Sequence, residues 1–563
     1  MRILIFHGYL LSGTGSNVYN ARLAEALVRL GHEVHLFSQE RHPERQSFVE
    51  AAGDWDDGRL EIEPLQDSPA GEARCTVYRP DIGGLLPLYV QDRYEGTVAK
   101  TFAECTDAEI STYVQANVEA VREVAERVRP EIALANHLVM GPVILARSLA
   151  DETSYAVKVH GSALEYTVKP EPKRFLGFAR EGLAKAKTVL VGSRHTAESL
   201  WEALGENDGA TIKARTRLGP PGVDVERFVP RSPQDAEAAM RGLLERLGHT
   251  APGSVEEQAS AFARDARVAV EALERMSDGD GVLVAFVGKL IVSKGVDLLV
   301  AAWPLVLRSI PDARLVIVGF GAYREGLEHL IGHLVAGDLE GAKRVARAGR
   351  SLEAQDGVAT STGDAAPLRH LLAFLDSLSG DVESDPQAGL AATSDAKPAC
   401  AAASDAKTGG EAEAYLTAAR LLDERVVLTG RLDHEELADV LPSCEALVVP
   451  STFPEAFGMV AAEAAACGVL PVSAAHSGLA EVSERIAEAV PAQARAWLSF
   501  PVDDGAVRAI AERLVGWLEA DRALKAQTRD ALVSVTREHW SWEGVARGVI
   551  GAARGEPVAR PFG

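Results

Sequence analysis

Short apolar runs closed by glycine or a small polar residue recur along this chain, and the segments between them carry apolar residues at helical spacing. The first run is RILIF (Arg2–Phe6). A glycine-containing loop and an amphipathic helix over Asn17–Leu30 follow, Gly31 stops that helix, and EVHLF (Glu33–Phe37) begins again. Continuous apolar runs of this kind suit parallel strands buried on both faces. EIALAN (Glu131–Asn136), YAVKVHG (Tyr155–Gly161) and TVLVGS (Thr188–Ser193) continue the series. They predict a doubly wound, Rossmann-like α/β domain over residues 1–230.

The alternation then restarts. VLVAFVGKL (Val282–Leu290), a helix over Gly295–Arg308, ARLVIVGFG (Ala313–Gly321), RVVLTGRL (Arg425–Leu432), ALVVPST (Ala446–Thr452) and GVLPVSA (Gly468–Ala474) predict a second Rossmann-like domain over residues 231–539. Two insertions interrupt it. Residues 231–280 are rich in Ala, Glu and Arg and read as helical, with a Gly/Pro break at His249–Gly253. Residues 322–420 read as helices flanking a Ser/Ala/Asp/Lys/Gly tract at Gly380–Gly410, where SDAK occurs at Ser394 and again at Ser404. That tract has too few large apolar side chains to offset its ordering entropy, so disorder is expected there. Residues 540–563 read as a closing helix. Two such sheets enclose a cleft, and ligands bind beyond the carboxyl ends of parallel strands.

At 563 residues the chain exceeds a single core, and 47% hydrophobic residues fit globular packing. A net charge of -23 argues against a nucleic-acid or anionic-membrane surface overall. The five cysteines (Cys75, Cys105, Cys400, Cys444, Cys467) are scattered without metal-ligand spacing, so reduced thiols and a cytoplasmic location are expected. MRILIFHGYL lacks the long core and cleavage site of a signal peptide. No run of about 18 apolar residues predicts a membrane span, which leaves peripheral contact open.

The candidate chemistry sits at strand ends and centres on PSTFPEAFGMVAAEAAACG (Pro450–Gly468). Glu455 falls in the loop entering a helix, beside Phe457, Gly458 and amides with no intrahelical partner. Glu463 stands alone in an apolar helix and needs a partner if buried. Two carboxylates at two depths suit a polyhydroxylated ligand such as a sugar nucleotide. Lys289 and Lys294, flanked by Gly288 and Gly295 after a buried strand, suit a diphosphate. Gly319, Phe320 and Gly321 would let a planar base lie against backbone. Gly13, Thr14 and Gly15 form the first strand–helix loop, without the spacing or the acid of a hydride-cofactor fingerprint; a tight turn without ligand explains them equally well. His160 and His137 end adjacent strands, His160 with Gly161 opening space beside it. Asp54, Asp56 and Asp57 imitate a metal-binding DxD, but AAGDWDDG reads as a solvated turn, and no metal is expected.

Taken together, GYLLSGTGSNVYNARLAEALVRLGHEV, VHGS, PPGVDVERFVP, FVGKLIVSKGVDLL, VIVGFG, VLTGRLDHEELADVLPSCEALVVPS and EAFGMVAAE resemble the retaining family-four glycosyltransferases of GT-B architecture. That family's signature of two glutamates with seven residues between them is matched by Glu455 and Glu463. The resemblance implies that Lys289 and Lys294 hold the donor diphosphate, Lys289 standing where arginine is frequent. It implies that Glu463 takes the ribose hydroxyls, and that Glu455 with the Phe457 and Gly458 amides takes the sugar hydroxyls. His160 would face the transferred sugar, with Gly13–Gly15 near phosphate and acceptor. Ser477 stands where glycine is common, and HWSWEGVARGVIGAA resembles the closing helix that returns to the first domain. The implied activity is metal-independent transfer of a hexosyl-type unit from a nucleoside-diphosphate sugar to a hydroxyl acceptor, with retention and without a further cofactor. A GT-B phosphorylase, a sugar-nucleotide epimerase or a non-catalytic sugar-nucleotide-binding protein would use the same cleft.

Overall fold

The computed structural model describes residues 1–66, 74–89, 98–249, 265–277, 281–353, 366–379 and 402–556. The apolar runs become strands of two sheets. The first contains β1 (Arg2–Phe6), β2 (Glu33–Phe37), β3 (Ala51–Asp56), β4 (Arg59–Pro64) and β5 (Cys75–Arg79). After a small parallel pair, β6 (Leu85–Leu88) and β7 (Val98–Thr101), it continues with β8 (Ile132–Asn136), β9 (Ser154–Val159), β10 (Thr188–Val191) and β11 (Thr216–Leu218). Its order is β11-β10-β9-β8-β1-β2-β5-β3-β4, parallel throughout except between β3 and β4.

The second sheet holds β12 (Leu283–Val287), β13 (Arg314–Val318), β14 (Val426–Gly430), β15 (Ala446–Val449), β16 (Leu470–Ala474) and β17 (Ser499–Phe500). The order β14-β13-β12-β15-β16-β17 is all parallel and reverses direction between β12 and β15. This is the doubly wound Rossmann order, which splays the loops beyond β12 and β15 and opens a crevice between them. Its core is held by large buried side chains such as Phe286, Trp303 and Trp517, each contributing roughly 1.5–3 kcal/mol on burial.

The two halves touch at defined points. The helix Trp542–Arg554 packs against the helix Gly15–Arg29 and β9, with Trp542, Ala546 and Val549 in the first sheet's core. The Glu481 carboxylate, on the second half's helix Ser477–Ala489, accepts the N–H groups of Arg194 (2.8 Å) and His195 (3.2 Å). Those are the first two residues of the first half's helix Arg194–Leu204, so the carboxylate caps it across the boundary.

Two sequence expectations change. AAGDWDDG is mostly strand: Asp57 and Gly58 take φ of 46° and 74° in an exposed hairpin turn between β3 and β4, and Asp54, half-exposed on β3, pairs with Arg79 at 2.5 and 2.7 Å. Within the tract expected to be disordered, residues 380–401 lie outside the described residues. Residues 402–410 open the helix Ala402–Ala419. That helix is anchored further on by buried Tyr415, whose hydroxyl donates to the Ala301 carbonyl at 2.9 Å. Of the Gly/Pro break, only His249 is described. Cys75, Cys105, Cys444 and Cys467 are buried free thiols, and Cys400 is outside the described residues.

Candidate active site

The loop after β12 is pressed onto the loop after β15. Gly295 makes this fit, with φ of 64° and a backbone so close to Pro450 that a Cβ would lie 2.0 Å from the Pro450 carbonyl oxygen. Thr452 N–H donates to the Ser293 carbonyl at 2.9 Å, stitching the loops together. The Lys294 ammonium therefore meets the Glu455 carboxylate in an ion pair. Burial would raise the Glu455 pKa, but the Lys294 charge and hydrogen bonds from Lys294 and the Ser451 hydroxyl (2.6 Å) hold it below the ordinary carboxylate value.

A second set of bonds fixes the loop carrying Glu455. Its N–H donates to the Ser477 hydroxyl at 2.9 Å, Ser477 meets His476 Nδ1 at 3.0 Å, and His476 Nε2 meets the Ser451 carbonyl at 2.7 Å. One tautomer satisfies the whole chain: Nε2–H donates to Ser451, and Nδ1 accepts from Ser477. Ser477 itself adopts a φ of 52°. The serine thus occupies a left-handed position that favours glycine and supplies a hydroxyl that glycine lacks.

The buried carboxylate of Glu463, in the helix Met459–Ala466, has its partner: His434 Nε2 at 2.7 Å. His434 opens the helix His434–Val440, whose start is fixed by the Glu436 side chain accepting from the Asp433 N–H at 2.7 Å. The His434 ring lies 5.0 Å from Phe228.

Across the cleft, His160 follows β9. Its Nε2 lies 3.0 Å from Asn136 Oδ1, and its ring is 4.9 Å from His137 and 5.2 Å from Tyr19. Burial, then the neighbouring Lys158 and His7, hold its pKa well below the ordinary histidine value, so the imidazole is neutral. Burial lowers Lys158 to about 7; its ammonium donates to the Gly219 carbonyl and lies 5.3 Å over the Tyr19 ring. His7 falls to about 4 by burial, while His137 is buried with neither ring nitrogen bonded.

A cleft of about 1330 Å³ runs between the sheets and gathers nearly every predicted residue: Gly13, Gly15, His160, Lys289, Lys294, Gly319, Phe320, Glu455, Phe457, Gly458 and Glu463, with His137 beside them. Gly321 is the exception. Its α-carbon is pressed on the Leu290 carbonyl, where a Cβ would lie at 2.4 Å, so it serves loop-to-loop packing and not the cleft wall. Gly319 shares that packing duty against Gly288. Sequence reasoning missed His434, Ser451 and His476. LDHEEL carried a helix-start signal that placed His434, whereas the other two declare themselves only through tertiary bonds. Among the described residues no three His, Cys, Asp or Glu side chains converge as a metal site, and no helix is long and apolar enough to cross a membrane.

Two parallel Rossmann-like sheets facing across a cleft, with the site residues at the strand-order reversal, define the GT-B class. The description "Glycosyl transferases group 1" matches residues 408–528, and "Glycosyl transferase 4-like domain" matches residues 14–212. The two ranges take in more than half of the chain, which belongs to the group 1 glycosyltransferases. The GDP-mannose-dependent alpha-(1-6)-phosphatidylinositol monomannoside mannosyltransferase of Mycolicibacterium smegmatis is 33% identical over 147 residues, 26% of this chain and 36% of that relative. Its counterpart from Mycobacterium tuberculosis (strain ATCC 25618 / H37Rv) is 32% identical over 151 residues, 27% and 37% of the two chains. The match therefore spans little more than a third of the curated relatives' length. Sucrose-phosphate synthase from Thermosynechococcus elongatus aligns with 98% of each chain at TM-score 0.52 and 19% identity. A glycosyltransferase from Rickettsia africae ESF-5 covers 98% of this chain and 97% of its own at TM-score 0.51 and 11% identity. Both express a shared fold.

Proposed function

We propose that this chain transfers a hexosyl unit, mannose from GDP-mannose, to a hydroxyl acceptor with retention of anomeric configuration and without a metal. The observation that carries the reading is the Lys294–Glu455 pair at the reversal of the second sheet, in one cleft with Lys289 and Glu463. Lys289 and Lys294 neutralise the departing diphosphate, whose charge grows as the glycosidic bond breaks. Glu455, kept ionised, accepts hydrogen bonds from the donor sugar, and Glu463, oriented by His434, accepts them from the ribose. Neutral His160 faces the transferred ring from the opposite wall as a hydrogen-bonding group without net charge. The choice of mannose and guanosine follows the names of the mycobacterial relatives, and retention follows the family. Melting in the presence of GDP, UDP, ADP and their sugars tests the donor: GDP-mannose should raise the transition most, and the absence of any nucleotide effect overturns the reading.

A further inference from the structure

Large apolar side chains are almost all covered, and among the described residues only Val98 and Tyr166 stand out as exposed. Tyr166 is 47% exposed and lines the cleft. It lies on the π-turn Leu164–Val168, just beyond the His160–Gly161 corner, and irregular turns of this type recur at functional positions. The flanking Glu165 is tied to the Ser199 hydroxyl and, at 3.1 Å, to Lys169, which fixes the turn. The Tyr166 ring stacks on Phe453 of the other half, centroids 5.9 Å apart and planes 23° from parallel. Phe453 precedes Glu455 by two residues, so the aromatic pair is attached to the loop that carries the sugar-facing carboxylate. Burial and then the Glu455 charge raise the phenol's pKa, keeping its hydroxyl protonated.

We infer that Tyr166, supported by Phe453, is the platform on which a cyclic polyol acceptor, a pyranoside or a cyclitol, lays its C–H face for attack beside Glu455. This rests on the transferase reading above. A flat ring with one edge toward water offers dispersion to the weakly polar face of a sugar, while the phenol hydroxyl and Glu455 remain at the polar rim. An acyclic acceptor presents no such face and gains little from the ring.

The test uses the full chain, GDP-mannose, and three acceptors: methyl α-D-mannopyranoside, myo-inositol and glycerol. GDP release with each is compared with release in water alone. Tyr166→Ala should raise KM for the two cyclic acceptors about ten-fold. Use of glycerol and water should stay within about two-fold of the parent. Tyr166→Phe, which keeps the stack, should retain cyclic acceptors. Unchanged KM for the cyclic compounds, a parallel fall with glycerol and water, or no use of either ring by the parent chain overturns the platform while leaving donor cleavage intact. Absence of donor cleavage with every nucleotide sugar instead sinks the transferase reading, and the platform with it.

Discussion

Replacing Lys294 with alanine isolates the charge on which the diphosphate assignment depends. Opposite charges about 4 Å apart attract by about 4 kcal/mol at an effective dielectric near 20. Here 30% and 25% of the Lys294 and Glu455 side chains remain exposed, so screening reduces the stability at stake to roughly 1–2 kcal/mol. The loss in transfer should be larger, about 2.7–4 kcal/mol or a hundred- to a thousand-fold, because the proposed role sets the ammonium where charge develops in the transition state. Initial rates of GDP release at saturating donor, with the folded fraction followed by circular dichroism, separate the two effects. The pH response adds a sign. Glu455 has a lowered pKa in the folded chain, so its contribution is present above the ordinary carboxylate value and disappears as pH falls through the lowered one. Without Lys294 that folded value rises, and the acid unfolding limb moves to higher pH. A rate within about three-fold of the parent in a fully folded variant refutes the electrostatic role.

The remaining predictions use other parts of the site. On the proposed ribose contact, which would precede and accompany transfer, Glu463→Gln should raise donor KM more than it lowers kcat; steady-state kinetics with varied GDP-mannose checks this, and an unchanged KM counts against the contact. Ser477→Gly should be more stable than Ser477→Ala by about 1 kcal/mol, because both lose the hydroxyl bond to Glu455 but only glycine relieves the positive φ. Urea midpoints decide that comparison. His7 is buried neutral with a pKa of about 4, so the unfolded chain takes up its proton first and stability falls as pH drops from about 6.5 toward 4, by about 3 kcal/mol for this residue. His7→Gln should flatten that limb in denaturation curves taken across the range.

The inner strands were legible because parallel strands buried on both faces need uninterrupted apolar residues, and RILIF, LVAFV and ALVV have them. β3 and β4 were not. Their outer portions are half-exposed, and polar residues dilute the signal although Asp57-Gly58 is itself a hairpin dipeptide. Glu463 announced its need for a partner by standing among alanines, yet which side chain would answer depended on a fold that brings residue 434 to it. The clustering of Lys294 with Glu455 was inferable only as far as both follow strands flanking the same reversal. The close approach at Gly295 belongs to three dimensions.

Since Glu481 terminates a helix that belongs to the opposite lobe, any parting of the lobes strands one anion and two amides until water replaces them. Main-chain dipoles thereby favour the observed seating of one lobe on the other, through a carboxylate and two amides that do not line the cleft.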